Sequence, residues 1–452
     1  LAKQKTIYIC QNCGASSPKW IGKCNSCNSW NTFQEEIVAD KKTRTTSPYK
    51  TSAQPQKIKE IKRSQVERID TTNKELNRVL GGGIVPGSVI LLGGEPGIGK
   101  STISLQTALS LKENVLYVSG EESPQQIKLR GERIGEPSET CSILAETDLD
   151  AVLHIIEANK PDIVFIDSIQ TIQSQRIESI PGSISQVREC ATIIQQFAKE
   201  NHITFILIGH INKDGAIAGP KVLEHIVDVV LQFEGDSNMV YRLLRGTKNR
   251  FGATSEIGIF EMRESGLREV ANPSEALINT QDQHLSGVSI SSSIEGIRPF
   301  FVEIQALVST AAYGTPQRSV NGFDLRRLNM LLAVLEKRVG FKLNAKDVFL
   351  NIVGGLRISD PATDLSVLVS VLSSSLDIAI PKSVCFSGEV GLTGEIRPVG
   401  RIEQRINEAE KLGFKTVFLP AGNKNAIAKE YAIELVFCNR VEDVFRRFFK
   451  KQ

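Results

Sequence analysis

Two arrangements of side chains in this sequence could do chemistry. The first is Gly94-Glu95-Pro96-Gly97-Ile98-Gly99-Lys100-Ser101, followed by Thr102. A run of this Gly-x4-Gly-Lys-Ser type lets successive backbone N–H groups turn inward around phosphate oxygens. Lys100 would then reach the β- and γ-phosphates of ATP, and Ser101 would offer its hydroxyl to Mg2+. Three carboxylates belong to the same reading. Asp167 closes the apolar run 163–166, which places it at the carboxyl end of a strand as a second group for Mg2+. Glu121 and Glu122 follow the β-branched run 115–119 and are candidates to polarise the attacking water, Glu121 as the base and Glu122 in support. His210 ends a further apolar run. It is either a sensor of the γ-phosphate that signals to the polar loop 212–220, or an ordinary hydrogen-bonded strand-end histidine.

The second arrangement is Cys10-x2-Cys13 and Cys24-x2-Cys27, with ten residues between the pairs. Each pair makes a tight knuckle that points two thiolates at one ion, and a tetrahedral Zn2+ site of four thiolates follows. The segment is too short for a core of its own, so metal would supply its folding energy. The alternative is a pair of redox-active dithiols. Cys141, Cys190, Cys385 and Cys438 are scattered in apolar or mixed contexts and read as buried thiols.

A phosphate loop works only between a strand and a helix. The sequence supplies both: 88–92 is strand-like, and 102–112 has helical periodicity, so a bound anion would meet a helix N-terminus. Strand patterns at 88–92, 115–119, 163–167 and 203–208 alternate with helical ones such as 184–199. That alternation predicts an α/β fold with a mostly parallel sheet. Runs 229–233, 241–245 and 257–261 follow at hairpin spacing and are expected to extend the sheet antiparallel. Residues 1–34 form the expected finger, 35–68 a basic linker, 69–271 the nucleotide-binding core, and 287–452 a second α/β domain with strands at 300–309 and 348–353 and helices at 325–338, 364–376 and 402–412.

The chain has 452 residues and 54 Lys and Arg against 51 Asp and Glu, a formal charge of +3. Any contact with nucleic acid must therefore come from local patches. No stretch near the start reads as a signal peptide, and no apolar run approaches the roughly 20 residues of a membrane span. A reducing, cytoplasmic setting with no membrane partner is expected.

Residues 69–270 resemble the RecA-type ATPase core, and the string Lys248-Asn249-Arg250-Phe251-Gly252 narrows the resemblance. A four-cysteine finger, a RecA-like core, this string and a tail similar to the Lon protease proteolytic domain occur together in the bacterial RadA (Sms) family of DNA repair and recombination proteins. The resemblance implies a ring-forming, DnaB-like, DNA-stimulated ATPase with ATP, Mg2+ and Zn2+. It also implies movement on single-stranded DNA, extension of branch points and cooperation with RecA, in a homo-oligomer expected to be hexameric. Lys100 and Ser101 fall on the family's phosphate loop and Asp167 on its second acidic motif.

The tail departs from an active Lon-like protease. Ala362, in Asp360-Pro361-Ala362-Thr363-Asp364, stands where the nucleophilic serine is expected, and Glu403 stands at the position matched to the catalytic lysine. A Ser-Lys mechanism needs an amine to take the hydroxyl proton, so the tail is expected to be a scaffold without peptidase activity.

Lys248 and Arg250, just past the run 241–245, are expected to face a neighbouring subunit and to act there as an arginine finger; otherwise they are surface or DNA-binding cations. Candidate DNA contacts are Lys213 and Lys221 around the loop 212–220, and the tail cations Arg298, Arg318, Arg326, Arg327, Lys337, Arg338, Lys342, Lys346 and Arg357. Residues 41–68 add nine Lys and Arg against two Glu, although such a run is commonly just a solvated linker. The competing readings are an ATP-dependent protease, which needs the absent dyad, and a nucleotide-switched scaffold or circadian-type autokinase built on Glu121-Glu122.

Overall fold

The computed structural model describes residues 5–10, 14–26, 28–38, 67–136, 138–210, 220–235, 240–272, 274, 277–278, 285–296, 298–311 and 315–449. Cys13, Cys27, Lys213 and the run 39–66 lie outside the described residues.

The finger is a three-stranded antiparallel sheet of β1 (Lys5–Cys10), β2 (Ser16–Ser17) and β3 (Phe33–Val38), with β1 central. Because Lys5 pairs with Val38 and Cys10 with Phe33, the finger runs beyond residue 34 into what reads as linker.

The core opens with α1 (Lys74–Leu80), β4 (Val89–Gly94), α2 (Lys100–Ser110), β5 (Val115–Ser119) and α3 (Pro124–Ile134). It continues through β6 (Cys141–Ala145), α4 (Leu149–Asn159), β7 (Ile163–Asp167), α5 (Ile184–Asn201) and β8 (Thr204–His210). After α6 (Pro220–Ile226) come β9 (Val229–Glu234), β10 (Tyr241–Asn249), β11 (Ile257–Arg263) and β12 (Gly266–Glu269). These strands form one sheet in the order β12-β11-β10-β9-β4-β8-β7-β5-β6.

β4, β5, β7 and β8 are buried at nearly every position, as strands covered on both faces must be. Val89 and Leu91 pack with residues of α4 and α5. Ile90 and Leu92 face the other way, towards Leu76, Leu80 and Ile103 of α1 and α2. One expectation is corrected here. β9 runs parallel to β4, Ile90 opposite Val229, because α6 carries the chain back across the sheet before the strand begins.

The second α/β region contains β13 (Val288–Glu295), β14 (Arg298–Thr310), β15 (Arg318–Asn321), α7 (Leu325–Val334), β16 (Lys346–Ile352) and α8 (Asp364–Leu376). Then follow β17 (Val384–Phe386), β18 (Glu389–Val390), β19 (Ile396–Arg397), α9 (Ile402–Lys411), β20 (Thr416–Pro420), β21 (Glu434–Cys438) and α10 (Val441–Phe448). Its main sheet has the order β15-β16-β14-β13-β17-β20-β21. The helix expected over 325–338 is α-helical only to Val334, and Leu335–Val339 is a wider π-type turn. Such a turn leaves the apolar spacing almost unchanged, so periodicity does not reveal it.

The chain divides into two compact units. One comprises Leu1–Glu234, Leu244–Thr254 and Met262–Glu269; the other comprises Gly235–Leu243, Ser255–Glu261 and Val270–Gln452. Among the thiols outside the finger, Cys190, Cys385 and Cys438 are buried and Cys141 is partly exposed. Burial pushes Cys190 up to about 12 and Cys141 and Cys438 up to about 11, so these thiols are poor nucleophiles. Among the described residues no helix is long and apolar enough to cross a membrane.

Candidate nucleotide site

β4 ends at Gly94 between two parallel neighbours and α2 begins at Lys100, so the loop 94–99 lies at the carboxyl edge of the sheet. Gly99 caps the helix at φ 115°, a conformation that a side chain would strain. Lys100 is only 3% exposed. Its Nζ donates to the carbonyls of Gly94 (2.8 Å) and Glu95 (2.9 Å), bracing the loop from within. Burial draws the Lys100 ammonium down to about 8, against the pull of Asp167, Glu121 and Glu95, the acids that surround it. Ser101 and Thr102 follow in the first turn of α2.

The acids converge from two adjacent strands. Asp167 ends β7 opposite Ser119, the last residue of β5, so Glu121 starts within two residues of the same edge. Asp167 accepts from the buried Tyr117 hydroxyl at 2.7 Å. The Tyr117 hydroxyl in turn is held well above its usual range by burial and by this carboxylate. Glu121 accepts from Ser168 Oγ at 2.9 Å. Gly120 permits this approach, since a β-carbon there would collide with Thr171. Glu122 is engaged elsewhere: Arg130 on α3 donates to it at 2.8 Å, and the same guanidinium stands 4.0 Å from Asp167. His210 ends β8 opposite Gly94, with Nε2 3.8 Å from Glu121.

Several polar atoms here are buried without a hydrogen-bond partner: Nε and Nη2 of Arg130, Oε1 of Gln170 and Nδ1 of His210. Unsatisfied groups at a sheet edge beside a phosphate loop fit a site that a polyanion and its metal complete. Ser101 and Asp167, hard oxygen donors, are the residues that would hold Mg2+. Arg130, Tyr117, Ser168 and Gln170 are not evident in the sequence, because only the fold brings them to this edge.

Lys248 and Arg250 are not part of this cluster. Lys248 Nζ donates to the carbonyls of Glu224 (2.6 Å) and Val227 (2.7 Å) at the end of α6. Arg250 pairs with Asp228, which also accepts from Val89 N. These contacts lie at the amino end of β4, about 16 Å along the strand from Gly94. Asn249 donates to the carbonyl of Leu80, and Arg68 donates to that of Phe251, so the string Lys248–Gly252 is fastened to the bottom of its own sheet.

In the finger, Cys10 and Cys24 are fully buried. Their two turns match. Gly14 N donates to Cys10 O and Cys10 N to Ala15 O, while Asn28 N donates to Cys24 O and Cys24 N to Ser29 O, all at 2.8–2.9 Å. Gly14 and Asn28 both take positive φ, the left-handed bend that closes such a knuckle. Twin knuckles with buried Cys10 and Cys24 fit a soft metal ion such as Zn2+; the other two expected ligands, Cys13 and Cys27, lie outside the described residues.

In the tail, Ala362 is fully buried. The residue that faces the Asp360 turn is Arg405 and not Glu403. Arg405 donates to Asp360 (2.7 Å), Ser292 O (2.9 Å) and Gly400 O (3.1 Å), whereas Glu403 accepts from Ala428 N. The reason is helical geometry: α9 turns Arg405 inward and Glu403 towards the 428 loop. Several of the tail cations are also engaged. Arg327 pairs with buried Asp364, Arg318 caps the carbonyls of Leu343 and Lys346, Lys346 donates to Ser375 and Arg298 to Ala271 O.

Three family models match successive parts of the chain: a rubredoxin metal binding domain over residues 8–35, an AAA domain over 54–216, and subunit ChlI of Mg-chelatase over 304–423. The DNA repair protein RadA of Halalkalibacterium halodurans is 49% identical over 450 residues, 98% of each chain. That of Bacillus subtilis is 47% identical over 453 residues, 99% of each. The chain belongs to the RadA family of DNA repair proteins. It is accordingly a RecA-like ATPase of DNA repair, with a zinc-ribbon domain at its N-terminal end and a Lon-like ChlI domain at its C-terminal end. The ATPase domain implies ATP and Mg2+. Among solved structures, a KaiC-like protein of Pyrococcus horikoshii aligns with 45% of this chain and 99% of its own, at 21% identity and a TM-score of 0.39.

Proposed function

We propose that this RadA-family chain is a DNA-dependent ATPase motor, a DnaB-like helicase that moves on single-stranded DNA as a homo-oligomeric, hexameric ring. It promotes branch migration of recombination intermediates, in homologous recombination and repair, alongside RecA. The observation that carries the reading is the convergence of Lys100, Asp167 and Glu121 at one sheet edge, with Ser168 and His210 holding Glu121.

In this reading Lys100 leaves the two loop carbonyls for the β- and γ-phosphates of ATP, and its lowered pKa returns upwards as the polyanion arrives. The loop 94–99 and Thr102 cradle the phosphates. Ser101 and Asp167 would hold Mg2+, which when bound would supply positive charge against the phosphate oxygens. Glu121, oriented by Ser168, takes the proton of the attacking water. Arg130 holds Glu122 aside, which leaves Glu121 as the base. His210, paired with Gly94, passes a change at the γ-phosphate to the segment that follows β8, where Lys213 lies. Lys248 and Arg250 serve a neighbour's site as finger cations, Lys248 resting on the carbonyls of Glu224 and Val227 until it is engaged there.

The tail acts as an assembly and DNA-binding scaffold, a role supported by Ala362 at the nucleophile position and by the Arg405–Asp360 pair beside it. The experiment that tests the motor reading is ATP turnover with and without single-stranded DNA, together with strand displacement on a forked substrate. Turnover indifferent to DNA, with no displacement, would leave a nucleotide-switched scaffold as the better reading.

A further inference from the structure

Both tryptophans of the chain lie in the finger, and both are open to solvent, Trp20 at 55% and Trp30 at 69% exposure. Scattered apolar residues on a surface are ordinary, but two indoles on one small patch are informative. The patch is a single one. A β-carbon placed on Gly22 would stand 3.7 Å from Cη2 of Trp20 and 4.0 Å from Cζ3 of Trp30, so both rings border the same bare stretch of backbone.

The backbone beneath them is fixed. Asn31 N donates to Gly22 O at 2.8 Å, Lys23 and Trp30 form an antiparallel bridge, and Ser17 Oγ donates to Lys19 O at 2.6 Å. The rings therefore stand on hydrogen-bonded turns beside the Cys24 knuckle. Lys23 Nζ lies 5.7 Å above the Trp30 ring, and Lys19 is exposed next to Trp20. Residues 1–34 contain four lysines and no acid. Four thiolates around one Zn2+ subtract about two charges, which leaves the segment positive.

We propose that Trp20 and Trp30 form a stacking platform for unpaired bases of single-stranded DNA, with Lys19 and Lys23 meeting the adjoining phosphates. This rests on the DNA-dependent motor reading and assigns part of its DNA contact to the finger. Every base offers a π-face, so such a platform tolerates any sequence, whereas the bases of an intact duplex are stacked on one another and unavailable. An exposed Trp pair also suits a protein interface, but the excess of lysine and the absence of acid favour a polyanion.

The chain has no other tryptophan, so emission of the full-length protein excited at about 295 nm, beyond tyrosine absorption, reports on these two rings alone. Titration with oligothymidylate at low salt, without nucleotide, is expected to quench that emission in step with binding measured by anisotropy of labelled DNA. Trp20→Ala and Trp30→Ala should each weaken single-strand binding about tenfold, while Trp→Phe changes at the same positions keep most of it and blunt-duplex binding is unmoved. Retained zinc content shows that each variant's finger is folded. Unquenched emission with DNA bound, or alanine variants with unchanged affinity, would overturn the platform and leave the motor reading standing. Alanine variants that keep DNA affinity but lose a protein partner would assign the patch to that partner instead. A wild-type protein that neither binds single strands nor is stimulated by them would defeat the motor reading itself.

Discussion

The edge of the core sheet around Lys100 and the Asp360 turn of the tail both gather acids and bases beside a helix N-terminus, but they are finished in opposite ways. At the core edge Lys100 rests on loop carbonyls, and Arg130, Gln170 and His210 keep buried atoms without partners. In the tail, Asp360 accepts from Arg405, Ile294 N and Ala362 N, and Asp364 accepts from Arg327 and Val390 N. None of those four charged side chains has a buried atom left unpaired. Reactive groups must retain capacity for a partner that comes and goes, whereas structural ion pairs are stable only when every donor and acceptor is matched. The comparison separates a site that awaits a ligand from one closed by its own side chains.

The strongest way to break it is at Lys100. Lys100→Ala should lower ATP hydrolysis by about 10²–10³-fold or more, because it removes the only ammonium of the phosphate loop. The same change should leave thermal unfolding near that of the parent chain, since a buried ammonium does not stabilise the free protein. Phosphate release and calorimetry check the two halves. Arg405→Ala should do the reverse: Asp360, largely shielded from water, keeps its two backbone donors but loses its counter-charge, at a cost of about 3 kcal/mol. Urea denaturation measures that loss. Adding Asp360→Asn to Arg405→Ala should cost less than the two single changes summed, as expected for partners in one network.

Arg130→Gln is a subtler probe. It frees Glu122 and withdraws a cation from Asp167, and kcat should fall about tenfold with little change in KM for ATP. A positioning role predicts in addition a raised Mg2+ requirement that Arg130→Lys partly restores, which loss of packing would not produce.

The smallest effect concerns pH. Lys100 titrates near 8 in the free protein, below its ordinary 10.5. The folded chain thus binds fewer protons than the unfolded one between those values, and the free core gains stability as pH rises through that window. ATP needs the ammonium, so its affinity should weaken above pH 8, by at most about tenfold per unit. Nucleotide titrations at pH 7, 8 and 9 would show it. Lys100→Arg, which stays charged, should flatten the dependence.

What was legible in the sequence is whatever acts through neighbours along the chain. The phosphate loop, Asp167 and Glu121 could be named because each follows a strand whose end is marked by a change from apolar to polar residues. β5 and β7 have the bounds that their apolar runs predict. Arg130, Tyr117 and Ser168 could not be named, since their roles arise only where α3, β5 and β7 meet. The direction of β9 was misread because α6 is short, and a seven-residue helix gives little periodicity to distinguish a crossover from a loop. Sequence position puts Glu403 in the lysine's place but says nothing about which way a helix faces, and it is Arg405 that α9 turns to Asp360.

Lys248 gives two of its protons to the carbonyls of Glu224 in α6 and Val227 just past it; among the described residues α6 is the first helix after His210. If a neighbouring subunit drew that ammonium to its own nucleotide, the end of α6 would lose its cap at the same instant. Docking and the release of this helix would then be one event rather than two in sequence, so that each firing of a site carries its own timing signal to the segment before α6.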